Sequence, residues 1–145
     1  MDYSASFQIS SSGMALEKLR FDVTVANLAN MHSSAASAAQ VYQPLRVIGK
    51  AAPVSFSQQF GDMLALEHGG VQLQSVEAMT VAPRLVYEPG HPQADEKGFV
   101  TYPGINHNSE MVNMMSALRA YEANVVALTS AKTMAARTLD IGGQS

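Results

Sequence analysis

The chain has 145 residues, a formal charge of −3 and no cysteine. That charge excludes nucleic-acid binding by phosphate neutralisation, and the missing thiols exclude disulfides and thiolate metal sites. Charged residues make up 14% of the chain, against about 25% in ordinary soluble domains. Polar surface is therefore scarce, which points weakly to burial against partners.

The N-terminus, Met1-Asp2-Tyr3-Ser4, has neither the basic region nor the apolar core of a cleavable secretory signal. No run approaches the roughly 20 apolar residues that cross a bilayer. A protein of this kind that leaves the cytoplasm is expected to use another route. Residues from about Phe7 to Asn30 then read as a helix that is apolar on two sides. Phe7, Met14, Phe21 and Leu28 recur every seven residues, and so do Ile9, Leu16 and Val23, with Leu19 and Ala26 beside them. At about 100° per residue the two sets lie on nearly opposite faces. Glu17, Lys18, Arg20 and Asp22 fill the strips between them. A helix on the surface of a monomer needs one apolar stripe, and a helix with two is buried from both sides.

Met31 to Gln40 is rich in Ala and Ser and reads as a loop. From about Val41 to Asn106 the sequence holds all six prolines and most of the glycines, the signature of a small β-rich insert. Strand signals are best at Arg84–Tyr87 and Gly98–Tyr102, where β-branched and aromatic residues are bounded by Gly and Pro. Val71–Gln74 alternates and could add a strand. Residues 51–68 are ambiguous. His91, Asp95 and Glu96 cluster in the loop shaped by Pro89, Gly90 and Pro92. Imidazole and carboxylates are metal ligands, but a solvated hairpin loop is the better reading, and no metal or other cofactor is expected. His32, His68 and His107 lie far apart, and none has a helical i, i+4 His partner.

From about Asn108 to Ile141 a second helix is expected, spanning roughly 50 Å at 1.5 Å per residue and stopped by Gly142-Gly143. Met111, Leu118, Val125 and Leu139 share one heptad position, interrupted by Lys132. Met114, Tyr121, Leu128 and Ala135 share its neighbour. Ala120, Ala123, Ala127 and Ala131 form a stripe of small residues on another side. The expected fold is α+β: long terminal helices in an antiparallel, coiled-coil-like pair, closed by one apolar face of each, with the β-rich insert between them. Residues 1–40 and 107–145 would form the helical assembly domain, and 41–106 the β-rich domain. The remaining helix faces suit other copies, whose non-closing contacts build helical arrays. A monomeric core can also hold two-sided helices.

Asn27 and Asn124 stand inside predicted helices, where Asn is unfavourable. They either hydrogen-bond between helices and fix register, as a buried Asn does in coiled coils, or lie exposed. Asn30 either joins them or caps its helix. The nine methionines read as adaptable packing. Ser10-Ser11-Ser12-Gly13 follows no strand and is no nucleophile elbow. The glycines form no phosphate-binding loop. An enzyme is not expected.

Ser12-Gly13-Met14 with Val25-Ala26-Asn27-Leu28-Ala29-Asn30, and Glu110-Met111-Val112-Asn113-Met114-Met115 with Arg119-Ala120-Tyr121-Glu122-Ala123-Asn124, resemble the terminal signatures of the flagellar rod and hook protein family. Tyr87-Glu88-Pro89-Gly90-His91-Pro92-Gln93-Ala94-Asp95 is similar to one short branch of it. The resemblance implies a structural subunit of the bacterial flagellar rod, exported by the flagellar type III apparatus without a cleaved signal. It implies polymerisation in the periplasm on the inner-membrane ring and export gate, with copies of itself and other rod proteins as partners. The terminal helices would line the central channel, and the rod would carry torque. A soluble helical adaptor or export chaperone of the same secretion system is the alternative.

Overall fold

The computed structural model describes residues 3–52 and 69–142. Most of the ambiguous stretch, with His68, lies outside the described residues. In chain order the elements are α1 (Tyr3–Asn30), β1 (Leu45–Ala51), β2 (Val71–Ala78), β3 (Arg84–Tyr87), β4 (Phe99–Tyr102) and α2 (His107–Gly142). This is the α+β arrangement expected, with long helices at both ends of a small β insert.

Helix α1 has 28 residues and begins a turn earlier than the apolar repeat indicated. Helix α2 has 36 residues and runs into Gly142. Asn106 caps its start: the side-chain Oδ1 accepts the Ser109 N–H at 3.1 Å and the backbone carbonyl accepts the Glu110 N–H at 3.0 Å. The side-chain bond satisfies one of the orphan donors of a helix N-terminus, and the backbone bond is the first of the helix ladder. At the end of α1 the Asn30 carbonyl accepts both the Ser33 N–H at 3.0 Å and the Ser33 hydroxyl at 2.7 Å. Among the described residues no non-glycine residue has positive φ, so Asn30 ends the helix without the left-handed turn of a glycine-type cap.

The strands form two two-stranded sheets, β1 with β2 and β3 with β4. Strand β1 was not singled out in the sequence, and β2 continues four residues beyond the alternating run, to Ala78. The β3–β4 pair is antiparallel, with Arg84 opposite Tyr102 and Tyr87 opposite Phe99. Gly98 is the turn residue before β4, not part of it. Its φ of 81° lies in the left-handed region that side chains with a Cβ avoid.

The contacts divide the described chain into two compact units. Residues 3–19, 49–52, 69–74 and 117–142 form the first, and 20–48 and 75–116 the second. In the first, the Tyr3 hydroxyl shares a 2.9 Å hydrogen bond with the Thr138 hydroxyl, and Gly13 faces Asn124. A Cβ on Gly13 would stand 2.8 Å from Asn124 Oδ1. These two pairs run antiparallel, 3 with 138 and 13 with 124. The Ser12 hydroxyl donates to the Ile9 carbonyl at 2.8 Å and accepts the Val71 N–H at 3.2 Å, which ties the start of β2 to α1.

In the second unit Val100 is fully buried, with Ala35, Val41 and Pro103 also inside. The Ala35 N–H reaches the Thr101 carbonyl at 2.9 Å, so the loop after α1 lies along β4. Gly104 is packed so closely on the Ala82 carbonyl and the Val81 side chain that a Cβ has no room. Gly104→Ala is therefore expected to destabilise the fold by about 1–3 kcal/mol, the usual cost of overpacking. Urea unfolding should show a lower midpoint with an unchanged slope.

Candidate functional site

The most connected side chain of the molecule is Asn27, only 1% exposed in the last turns of α1. Its Nδ2 donates to the Leu45 carbonyl at 2.8 Å and to Glu110 Oε2 at 3.1 Å. Its Oδ1 accepts the Tyr42 hydroxyl and the Leu45 N–H, both at 2.9 Å. Every hydrogen-bonding position of the carboxamide is used. Toward Leu45 it acts as the peptide group of a neighbouring strand would, so the first residue of β1 is paired to a side chain. Toward Glu110 it fixes the first turns of α2. Asn113 adds a longer contact to the other Glu110 oxygen, at 3.4 Å. The Tyr42 phenol is pushed above its ordinary pKa of 10.0, first by burial and then by the negative charge of Glu110.

Beside this cluster opens a cavity of about 270 Å³, walled by Arg20, Thr24, Leu45, Arg46, Met79 and Glu110 among others. Glu110 and Thr24 are buried. The Thr24 hydroxyl is satisfied by the Arg20 carbonyl at 2.9 Å, and Arg46 lies 3.8 Å from Glu77.

The seam that faces inward is small and polar. On α1 the buried residues are Ser10, Thr24 and Asn27; on α2 they are Glu110, Ala117 and Ala131. Glu110, Ala117, Asn124 and Ala131 follow one another at heptad spacing. Small side chains let backbones approach, as Gly13 against Asn124 shows, whereas a Leu or Met seam would hold them apart.

The larger apolar residues singled out in the sequence flank that seam. Phe7, Met14, Phe21 and Leu28 on α1 are half-buried, as are Met111, Met114, Tyr121, Val125 and Leu128 on α2; Leu118 is exposed. Of the three asparagines, Asn27 makes an interhelical bond. Asn124 Nδ2 returns to the Ala120 carbonyl of its own helix at 2.9 Å, and Asn30 Nδ2 to Ala26 at 2.8 Å. Tyr42, essential to the cluster, carried no sequence signal of its own, and Glu110 stood in the C-terminal signature without being read as a partner of Asn27. The heptad from Glu110 to Ala131 did, but it was hidden by the stronger apolar repeats beside it.

The β3–β4 loop is braced by its own backbone. Glu88 N–H bonds to the Gly98 carbonyl at 2.9 Å, His91 N–H to Glu88 at 3.0 Å and Asp95 N–H to Phe99 at 2.8 Å. Asp95 Oδ1 accepts the Lys97 and Phe99 N–H groups at 2.9 and 2.8 Å, and His91 Nδ1 accepts the Gln93 N–H at 3.1 Å. The polar side chains thus shape the turn. Among the described residues no three His, Asp or Glu side chains converge on a metal-sized point. Tyr87, Pro89, Gly90 and Pro92 are exposed and His91 is half-buried. The Tyr102 phenol is raised above its ordinary pKa, first by burial and then by its 3.1 Å hydrogen bond to Glu88 and that carboxylate's charge; the Arg84 guanidinium, 5.6 Å from the ring centre, opposes the rise.

A family model for the C-terminal region of the flagellar basal body rod FlgEFG proteins matches residues 96–141, which include α2 almost to its end. The class it defines is that of flagellar rod proteins. Proteins called flagellar basal-body rod protein FlgC match almost end to end. The one from Salmonella typhimurium is 37% identical, over 94% of this chain and 95% of its own length. That from Borreliella burgdorferi is 35% identical over 90% and 91%, and that from Bacillus subtilis 31% over 94% and 96%. The chain belongs to the FlgC family, whose members are structural subunits of the flagellar basal-body rod.

Removing the Asn27 carboxamide would leave the Leu45 peptide and Glu110 unpaired. Asn27→Ala is expected to cost on the order of 3 kcal/mol, since each buried group left unsatisfied costs about 1–3 kcal/mol. Asn27→Asp would set a second carboxylate beside Glu110, raising the folded-state pKa of the pair above the unfolded value. Its extra destabilisation is absent below the unfolded carboxylate pKa, grows as pH rises from there to the raised folded value, and is complete above it. Thermal unfolding from pH 3 to 8 should show the gap between Asn27→Asp and wild type opening with rising pH by clearly more than that of Asn27→Ala, which removes one hydrogen bond to the Glu110 carboxylate and adds no charge.

Proposed function

We propose that this structural subunit builds the proximal part of the flagellar rod by polymerising through its terminal helices around the export channel, with copies of itself and other rod proteins as neighbours. The observation that carries this reading is the inverted distribution of side-chain size in the helices. Inside the chain the seam is small and polar, while Ile9, Val112, Met115, Leu118, Val126, Met134 and Leu139 are among the exposed apolar side chains of the helices. Full burial of such a side chain contributes about 1.5–3 kcal/mol, none of the described residues supplies it, and a neighbouring molecule would. Contacts between unlike surfaces do not close, so they propagate an array.

In this reading residues 1–40 and 107–145 act together as the assembly domain and 41–106 as the β-rich module it carries. That functional division is separate from the two contact units. Phe7, Met14, Phe21 and Leu28 on α1, and Met111, Met114, Leu118, Tyr121, Val125 and Leu128 on α2, supply packing between subunits, and Asn27 through its bond to Glu110, with Asn124 against Gly13, keeps the helices in register. Family membership supports a place in the basal body. The base of the rod, in the periplasm, would meet the inner-membrane ring and export gate, and the route there would be flagellar type III export. No catalysis is assigned to the chain, since the family is structural. An adaptor or export chaperone would use the same faces transiently and would be absent from purified basal bodies.

Deletion of the gene is expected to abolish motility and leave basal bodies without a completed rod, seen by electron microscopy. Normal hooks and filaments in the deletion strain would contradict this reading. Leu118→Asp and Leu128→Asp should be exported but lose incorporation by about a hundredfold, because burying an uncompensated carboxylate costs about 3 kcal/mol or more. Fractionation of secreted and basal-body protein reads both quantities, and wild-type incorporation of both variants would refute the role of the helices.

A further inference from the structure

The outer face of α2 carries a charge order that is complementary to its own reverse. At about 100° per residue, Arg119, Glu122, Arg137 and Asp140 fall on one stripe, within about 50° of its midline. Val126, Thr129, Ser130 and Thr133 occupy the same stripe between the two charged pairs, while Lys132 lies about 110° away. All eight stripe residues are exposed. None of the four charged groups has an ion-pair partner among the described residues. The hollow at the centre of the stripe is walled by α2 residues alone. From the N-terminal end, then, the stripe reads plus, minus, an uncharged centre, plus, minus.

The spacing is symmetric about the point between Thr129 and Ser130. A two-fold axis through that point sets Arg119 against Asp140 of a second copy, Glu122 against its Arg137, and Val126 against its Thr133. All four charges of each copy then meet an opposite charge. An in-register parallel pair sets every one of them against its like. The centre tolerates being covered. The Thr129 and Thr133 hydroxyls donate to the Val125 and Thr129 carbonyls, each at 2.9 Å, so covering them leaves neither donor unmet.

We propose that the free subunit pairs with a second copy of this chain through the α2 stripe, antiparallel and two-fold, with Arg119 on Asp140 and Glu122 on Arg137 at both ends. Charge complementarity selects the occupant, because the stripe is its own complement only when reversed. The contact is isologous and closes at two copies. It is therefore distinct from the non-closing contacts of the rod reading and does not rest on them. The paired stretch is about 30 Å long at 1.5 Å per residue. So narrow an interface belongs to the weak class, and the pair forms as concentration rises.

Sedimentation equilibrium of the purified full chain reads the pair as a monomer–dimer equilibrium. Added salt should weaken it, since exposed charges are screened over about 10 Å at 0.1 M. Glu122→Arg and Arg137→Glu, both at exposed positions, should each weaken dimerisation by about tenfold; circular dichroism checks that the fold is kept. The variant carrying both exchanges should regain the wild-type equilibrium. Along one helix the two positions stand about 22 Å apart, so the recovery comes from the other copy. A second arm changes no charge. Ser130→Cys lies beside the axis of a chain without native cysteine and should be joined into dimers by a short bismaleimide. The proposal is overturned by a chain that stays monomeric up to about millimolar concentration, by an equilibrium that runs past the dimer, by a double variant as weak as its parents, or by Ser130→Cys without cross-linked dimer. None of these results bears on incorporation into basal bodies, which tests the rod reading separately.

Discussion

A single carboxamide, that of Asn27, holds together three parts of the second unit that are distant in sequence. It closes on the Leu45 peptide at the start of β1, on the Tyr42 hydroxyl and on Glu110 in the first turns of α2. The requirement is chemically narrow. Asp would lack the two donors and repel Glu110, Gln would place its amide a methylene too far, and Ala would leave the Leu45 peptide unpaired in the interior. Because the amide is satisfied from all sides, the start of β1 and the start of α2 are placed by the same atoms.

The inward strip of the helices continues this principle with small groups. Ser10, Gly13, Thr24, Ala117 and Ala131 have little volume, so specificity there comes from close approach and not from interlocking large side chains. The apolar mass of the chain is displaced outward as a result. In an ordinary monomer that distribution would be a liability. In the rod subunit as proposed it is a supply of adhesive surface for neighbouring molecules.

Much of this architecture was legible in the sequence. The heptads announced both helices, and turn residues bracketed β3 and β4 closely enough to give their registered ends, because β-branched and aromatic runs stopped by Gly and Pro have few other readings. Strand β1, with Arg46 and Lys50 on a half-covered ribbon, has no such contrast. The apolar repeats leave open what covers each helix face. Periodicity marks faces that avoid water without saying whether the same chain or another one covers them. Asn27 was flagged as out of place in a helix, but its partners Tyr42 and Glu110 are brought to it only by the fold. Asn124 carried the same flag and serves instead as the surface on which Gly13 rests.

The modest interior has a thermal consequence. The heat capacity change of unfolding grows with the apolar surface exposed, and about 12–15 cal/mol/K per residue is usual for compact domains. Here the buried apolar side chains among the described residues are Ala35, Val41, Val100, Ala117 and Ala131, besides proline. Apolar surface that the free subunit leaves uncovered adds nothing to its own heat capacity change of unfolding. In the proposed assembly the side chains left uncovered here would be covered at the joining of subunits, and a negative heat capacity change would belong to association.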